Sequence, residues 1–296
     1  MRVILLCGGE SAERAVSLRS GARVFDALVA RGHDVEMLDF SEKAANGAFF
    51  ARCRAADAVF LALHGGAGED GRVQAMLERE GVCHYTGSGP DASALAMQKS
   101  RAKARVASVG ITVAKGGALL AGKLPDGVSF PVILKPECGG SSVGLQILED
   151  AEKLEDLTPC EGILCEEYLP GREFSVGILG ERVLPSVEIR PRGGIYDYAH
   201  KYTKGITEEL CPAPLSSEYA GALAQMAYRA FRALGLSDVA RIDFKENAAG
   251  VPCFLEANTL PGMTETSLLP QAALAVGISF PALCEQLLQL ACAKRT

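Results

Sequence analysis

The sequence has no CxxC pair, no Cys/His cluster at zinc spacing and no apolar stretch approaching membrane-spanning length. Its 10 cysteines are scattered, and Cys7, Cys83, Cys253, Cys284 and Cys292 sit inside apolar runs. Buried free thiols in a reducing compartment are therefore expected, not a disulfide framework or a zinc centre. The apolar run at 3–7 is too short for a signal peptide and no cleavage pattern follows it. A cytoplasmic protein with no membrane partner is the expectation. No long basic run occurs and the formal net charge is −6, which argues against nucleic acid as a partner. Any anionic ligand must then be met by a local group of cations. No GKS/T closes a Walker loop, and no Ser-His-Asp or Cys-His arrangement is discernible. Internal repeats and low-complexity tracts are missing as well. What is present is a chain of 296 residues, 48% apolar, enough for two or three domains with ample cores.

Strands expected at 3–7, 35–40 and 58–63 alternate with helices, which predicts a doubly wound parallel sheet. In the helix after Gly8-Gly9, Leu18, Ala22, Phe25 and Leu28 recur at helical spacing as the expected inward face. Ligands of such sheets bind at the carboxyl ends of strands. The turns Gly8-Gly9-Glu10-Ser11 and His64-Gly65-Gly66-Ala67-Gly68 fall there. One long helix is expected from 91 to 108, then a strand at 130–135 and a glycine-serine loop at 139–144. A hairpin is expected at 174–189. Residues 190–216 have no period and read as a lid. A helix with Leu223, Met226, Ala230 and Leu234 inward and a closing helix near 281–290 complete the chain.

The sharpest chemical pattern is Arg241-Ile242-Asp243-Phe244 followed by Phe254-Leu255-Glu256-Ala257-Asn258. Alternation puts Arg241 and Asp243 on one face, and Glu256 and Asn258 on one face. The short linker 246–250 predicts antiparallel pairing. Two carboxylates and an amide oxygen would then gather beside a guanidinium, a hard donor set suited to Mg²⁺ with phosphate and water. The alternative is a cross-strand polar pair facing solvent, which leaves two facing acids repelling one another. Lys135 precedes the loop Gly139-Gly140-Ser141-Ser142-Val143-Gly144, where small residues let backbone N–H groups approach phosphate; an ordinary turn is the competing reading. Lys99, among Arg101, Lys103 and Arg105, reads by pattern as a solvated basic face. Glu166-Glu167-Tyr168-Leu169 and Glu173 fit a strand edge, which in isolation is simply acidic and exposed. Glu13 at a helix start benefits from the dipole with or without a ligand. Tyr202 beside Lys201, and His64 at a strand end, each admit a structural role.

Taken in order, these segments resemble the D-alanine–D-alanine ligases of the ATP-grasp superfamily over nearly the whole chain. The matching pieces are Gly8-Gly9-Glu10-Ser11-Ala12-Glu13-Arg14, Leu63-His64-Gly65, Gly68-Glu69-Asp70-Gly71, Tyr85-Thr86-Gly87-Ser88-Gly89, Lys135-Pro136 and Gly140-Ser141-Ser142-Val143-Gly144. They continue with Tyr196-Asp197-Tyr198, Lys201-Tyr202, Arg241-Ile242-Asp243, Glu256-Ala257-Asn258-Thr259, Pro261-Gly262-Met263-Thr264 and Ser267-Leu268. The resemblance implies an α/β fold, α+β in its C-terminal part, in a three-domain ATP-grasp architecture. Its implied units are an N-terminal substrate-binding domain (1–88), a central ATP-grasp subdomain (89–173) and a C-terminal subdomain with lid and metal site (174–296). It implies ligation of two D-alanines through an acyl phosphate, with D-alanine–D-lactate or D-alanine–D-serine synthesis as alternatives and a non-catalytic nucleotide binder as the remote one. Lys99, Lys135 and Lys201 would contact phosphates. Glu166 would face the adenine amino group, with backbone groups of Glu167 and Leu169 beside it, and Glu173 would hold the ribose. Asp243, Glu256 and Asn258 would hold two Mg²⁺ ions, Mn²⁺ being possible. Glu13 would bind the first ammonium and, with Ser141 and Tyr202, tie down the lid. Arg241 and the Gly262 N–H would face the oxyanion, Ser267 and the Leu268 N–H the second carboxylate, and His64 would lie near the reacting groups. A homodimer is implied. The chain departs from the family pattern at Ala15, Gln98 and Glu137-Cys138-Gly139, at the longer approach 82–84 and in the short stretch 111–130. None of these removes a proposed catalytic residue.

Overall fold

The computed structural model describes residues 1–120, 123–140, 144–151, 162–191 and 207–294. β1 (Arg2–Gly8), β2 (Asp34–Phe40) and β3 (Ala58–Leu61) form a parallel sheet in the order β2-β1-β3. β1 is central and its residues 3–6 are fully buried, as expected for a strand covered on both faces. Helix α1 (Arg14–Ala30) follows β1, α2 (Gly47–Ala55) follows β2 and α3 (Arg72–Arg79) follows β3.

The inward face of α1 differs from the hydrophobic periodicity. Its buried residues are Val16, Ser17, Ser20, Gly21, Val24, Ala27 and Leu28, while Leu18 is exposed. The helix lies so close to β1 that a Cβ at Gly21 would come within 2.6 Å of the Cys7 Cβ. Leucine cannot fit there, so small residues face in. Ser17 is satisfied by accepting from the Gly8 N–H at 2.8 Å and donating to the Ala62 carbonyl at 2.7 Å.

The expected long helix is two, α4 (Pro90–Met97) and α5 (Lys99–Ala107). Gln98 between them is extended, with ψ 97°. The Glu137 side chain accepts from the Ser100 N–H and hydroxyl at 2.9 and 2.6 Å, and the Lys99 N–H donates to the Glu137 carbonyl at 3.2 Å. Glu137 thus caps the restarted helix.

A second sheet, in the order β4-β7-β5-β6, contains β4 (Gly116–Ala118), β5 (Val132–Pro136), β6 (Gln146–Leu148) and β7 (Ile163–Glu167), all antiparallel. The third comprises β8 (Glu173–Leu179), β9 (Arg182–Val183), β10 (Val187–Pro191), β11 (Thr207–Leu210), β12 (Val239–Glu246) and β13 (Pro252–Asn258). Its path is β11-β10-β8-β12-β13, with β9 beside β8. Helix α6 (Ser217–Ala233) buries Leu223, Ala227, Ala230 and Phe231 against this sheet and shares its core with Ala96, Ala102 and Val106 of α4 and α5. Helices α7 (Leu268–Ala275) and α8 (Phe280–Ala293) return to the first unit, where Leu283, Leu287 and Leu288 join Val24, Leu28 and Phe60 in one core.

The seam between the first unit and the third sheet is polar. Lys294 Nζ lies 2.6 Å from Asp238 Oδ2 and donates to the carbonyls of Tyr85 and Gly87. Asp238 also accepts from the Gly87 N–H at 3.0 Å, and its φ of 60° is the single positive value among described non-glycine residues. The nine described cysteines are all free thiols; Cys83 and Cys138 are exposed. Cys83, expected to be buried, is exposed between the buried Val82 and His84. No single described helix is long and apolar enough to cross a membrane.

Candidate active site

β12 and β13 pair antiparallel, with Arg241 opposite Asn258 and Asp243 opposite Glu256. Ile242 and Phe244 fill the other face with no exposure. The register therefore brings the two carboxylates and the amide together. Arg241 grips Asp243, its Nε donating to Oδ1 at 3.0 Å and its Nη2 to Oδ2 at 2.8 Å. The Ser175 hydroxyl donates to the same Oδ1 at 2.8 Å. One of the facing acids is thus partly neutralised by protein. The Asn258 Oδ1 accepts from the Leu260 N–H at 3.1 Å. Among the described residues no group of three or more His, Cys, Asp or Glu side chains forms a metal cage. Two carboxylates and an amide leave coordination positions for phosphate and water, the habit of Mg²⁺.

Glu256 and Asn258 line an open cleft that also holds Lys99, Arg241, Gly262 and Ser267. Glu13, His64 and Gly140 belong to the same cleft. Lys99 is 8% exposed, not on a solvated face. Its Nζ donates to the Gly139 carbonyl at 2.6 Å and stands 3.8 Å from Glu256 Oε2. Glu13 precedes the first turn of α1, and its carboxylate packs against two glycines. A Cβ at Gly65, whose φ is +65°, would lie 2.6 Å from Glu13 Oε2, and one at Gly140 would lie 3.6 Å away. Glycine at 65 is thus required twice, by backbone conformation and by the close approach.

The loop from Leu260 to Ser267 forms the cleft's other boundary. Ser267 precedes α7 and its hydroxyl accepts from the Thr264 N–H at 2.9 Å. A Cβ at Gly262 would meet that hydroxyl at 2.7 Å. His64 Nδ1 lies 3.2 Å from the Leu260 carbonyl and Nε2 lies 2.8 Å from the Ser20 hydroxyl. A carbonyl only accepts, so the tautomer that satisfies both contacts carries its proton on Nδ1.

A second cluster lies on the four-stranded sheet. Glu166, 2% exposed, is held between Lys103 and Lys135, with Lys135 Nζ at 2.7 Å from Oε2 and Lys103 bonded to Oε1. Desolvation raises the Glu166 carboxyl, but Lys135 and Lys103 outweigh it and hold it below the usual carboxylate range. Desolvation and the neighbouring Lys135 push Lys103 well below the ordinary lysine value. Lys103 was not singled out from the sequence, although its i, i+4 spacing from Lys99 puts both on one helix face. Glu173 pairs with Lys245 at 2.8 Å. The Glu167 N–H donates to the Lys115 carbonyl at 2.9 Å. Leu169 joins Ala114, Cys253 and Leu255 in a small buried apolar cluster where residues flanking β4 and β7 meet β13. Ser141, Lys201 and Tyr202 lie outside the described residues.

A lysine-bearing antiparallel sheet set against a larger sheet with an acidic strand pair, next to a parallel unit with glycine turns, defines the ATP-grasp architecture. The D-ala D-ala ligase C-terminus family matches residues 118–289. A D-alanine--D-alanine ligase of Syntrophotalea carbinolica is 42% identical, covering 97% of this chain and 95% of that protein. Among solved structures, D-alanine--D-alanine ligase from Bacillus anthracis complexed with ATP superposes with a TM-score of 0.83 at 30% identity, over 100% of this chain and 98% of that one. The VanG D-Ala:D-Ser ligase from Enterococcus faecalis gives 0.80 at 26% identity, over 98% and 99%. The chain belongs to the D-alanine–D-alanine ligase family.

Proposed function

We propose that the protein joins two D-alanine molecules into D-alanyl-D-alanine, converting ATP to ADP and phosphate, as a step of peptidoglycan precursor synthesis. The observation that carries this reading is the convergence of Glu13, Arg241, Glu256, Asn258, Gly262 and Ser267 on one cleft. The carboxylate of the first D-alanine attacks the γ-phosphorus and ADP leaves, giving an acyl phosphate. The amine of the second attacks the acyl carbon, sheds a proton, and phosphate leaves. Glu13 holds the first ammonium. Arg241 and the Gly262 N–H face the oxyanion as charge builds on it. Ser267 and the Leu268 N–H meet the second carboxylate at the start of α7, where the helix end favours an anion.

Lys99, Lys135, Lys201 and Ser141 serve the phosphates. Glu166, with backbone groups of Glu167 and Leu169, serves the base, and Glu173 the ribose. Two lysines share one carboxylate at Glu166, and a triphosphate nearby would draw Lys103, otherwise held low, to its charged form. The donor set of Asp243, Glu256 and Asn258 fits two Mg²⁺ ions, with Mn²⁺ as a substitute. Bound there, such ions would screen the charge of the transferred phosphoryl group. We also propose a cytoplasmic homodimer.

D-Serine or D-lactate as second substrate is the alternative, and the full-length relatives named D-alanine--D-alanine ligase at 41–45% identity favour D-alanine. Mass spectrometry of products at saturating ATP and Mg²⁺ tests the reading. D-alanine-dependent phosphate release with D-Ala-D-Ala as product is expected. Preference for D-lactate over D-alanine at neutral pH, or tight ATP binding without turnover, would overturn it.

A further inference from the structure

Helix α1 carries a polar stripe that the roles above leave unused. Ser20 is fully buried, seven residues or about 10 Å along the axis from Glu13. Its hydroxyl bonds His64 Nε2 at 2.8 Å and accepts from the Met263 N–H at 3.3 Å. One turn further, Arg23 Nη1 donates to the carbonyls of Thr264 at 2.6 Å and Met263 at 3.2 Å. Its guanidinium lies over the Phe280 ring, 3.9 Å from the centroid, so its position is fixed from the far side too. His64, held by Ser20, reaches the Leu260 carbonyl at 3.2 Å. The backbone of residues 260, 263 and 264 is therefore fastened to the first unit on both sides of Gly262.

We infer that Ser20 and Arg23 are positioning residues that set the second-substrate site against the first. The inference rests on the proposed roles of Glu13, Gly262 and Ser267. Glu13 is the N-cap of the helix that carries the clamp, its carbonyl accepting from the Ser17 N–H at 3.0 Å, so α1 sets the distance from the first ammonium to the oxyanion N–H. His64 acts in the same way: both its ring nitrogens are committed to protein partners, and it orients the loop through Ser20 and Leu260. The Leu260 and Met263 side chains also pack into cores of the first unit, whereas the hydrogen bonds from the Ser267 hydroxyl to Thr264 are internal to the loop and cannot set its placement relative to Glu13.

The test separates the two half-reactions in Ser20→Ala, Arg23→Met and Arg23→Lys. In Ser20→Ala and Arg23→Met the KM for the second D-alanine should rise about tenfold with a comparable fall in kcat, because misplaced groups cost rate steeply. The KM for ATP and the first step, read by positional isotope exchange in ATP with D-alanine, should stay within about twofold. Arg23→Lys keeps a donor near the Thr264 carbonyl and should regain most of the loss. Hydrogen exchange of the Met263 amide should quicken about tenfold in Ser20→Ala, because the N–H loses its acceptor. Equal losses in both half-reactions, an unchanged second-site KM, or an unchanged Met263 exchange rate would overturn the inference. Wild-type protein that makes no dipeptide refutes the proposed activity instead, and the exchange measurement then still decides the clamp. If Arg23→Met fails to fold, Ser20→Ala and Arg23→Lys carry the same comparison.

Discussion

Replacing Glu166 by Gln removes the one anion between two buried ammoniums. Lys103 and Lys135 side chains are 7% and 11% exposed, and both lose the same partner. Deleting one member of a buried ion pair costs about 3–5 kcal/mol. A ceiling follows from proton loss, since a lysine with an ordinary value near 10.4 can be neutralised at pH 7 for about 4.6 kcal/mol. Lys103, pushed down to about 7 by desolvation and Lys135, already bears nearly all of that cost in the wild type, so the added deficit falls on Lys135. The expected deficit at about pH 7 is about 3 kcal/mol, or about 6–10 °C in melting temperature. The sign of the pH dependence follows from the lysine left without its carboxylate. Where the folded variant has shed a proton that its unfolded chain keeps, its stability rises with pH. At about pH 9.5 neutralisation costs about 1.2 kcal/mol, and the deficit should shrink to about 1 kcal/mol. Thermal unfolding of both proteins, followed by circular dichroism at the two pH values, measures this. A variant as stable as wild type near neutrality, or a deficit that persists unchanged in alkali, refutes the reasoning.

Glu256→Gln should lower D-alanine-dependent phosphate release by at least about 100-fold. Its melting temperature should move by less than about 2 °C, since the side chain is partly exposed and replaces no core contact; near-normal turnover would displace the metal reading. Gly65→Ala combines a positive φ with a Cβ that would lie 2.6 Å from the Glu13 carboxylate. It should cost about 1–2 kcal/mol of stability and raise the KM for the first D-alanine about tenfold or more, seen in melts and initial rates. Lys294→Met removes the cation shared by Asp238 and two carbonyls. A loss of about 2 kcal/mol is expected from denaturant unfolding, reduced from the fully buried case by the lysine's partial exposure.

The strands of the first unit and the Arg241–Asn258 pairing were legible because period-2 alternation and β-strand runs carry direct information on which face a side chain takes. The face of α1 was not. Its stripe of Ser17, Ser20 and Gly21 is polar or small, and periodicity of large apolar residues pointed to Leu18, which the structure exposes. Close packing on β1 decided the matter, and that contact is non-local. The break at Gln98 was hidden for a similar reason. Nothing between 91 and 108 is a helix breaker, and the side chain that caps the second helix, Glu137, lies 37 residues beyond Ser100. Lys99 and Lys103 illustrate the same limit. Their spacing fixes a shared face, but whether water or a carboxylate meets that face depends on β7, which brings Glu166 to Lys103, and on β13, which brings Glu256 to Lys99.

Charge bookkeeping around the cleft joins these points. The chain is acidic overall at −6, so it cannot draw a triphosphate by its general field. Its cations are gathered locally instead. At Glu166 two lysines share one carboxylate. On the β12–β13 face Arg241 engages Asp243, and Lys99, 3.8 Å from Glu256, bonds a carbonyl more closely. A site built only to bind anions would carry cations without facing acids; here two carboxylates oppose one another across β12 and β13. That pairing suits a ligand that arrives as an anion with its own divalent ions. Phosphate without divalent ions should therefore bind this cleft weakly, and adding Mg²⁺ should tighten ATP by about tenfold or more in a calorimetric titration. Equal ATP affinity with and without Mg²⁺ would show that the acids opposite one another serve only each other's neighbours.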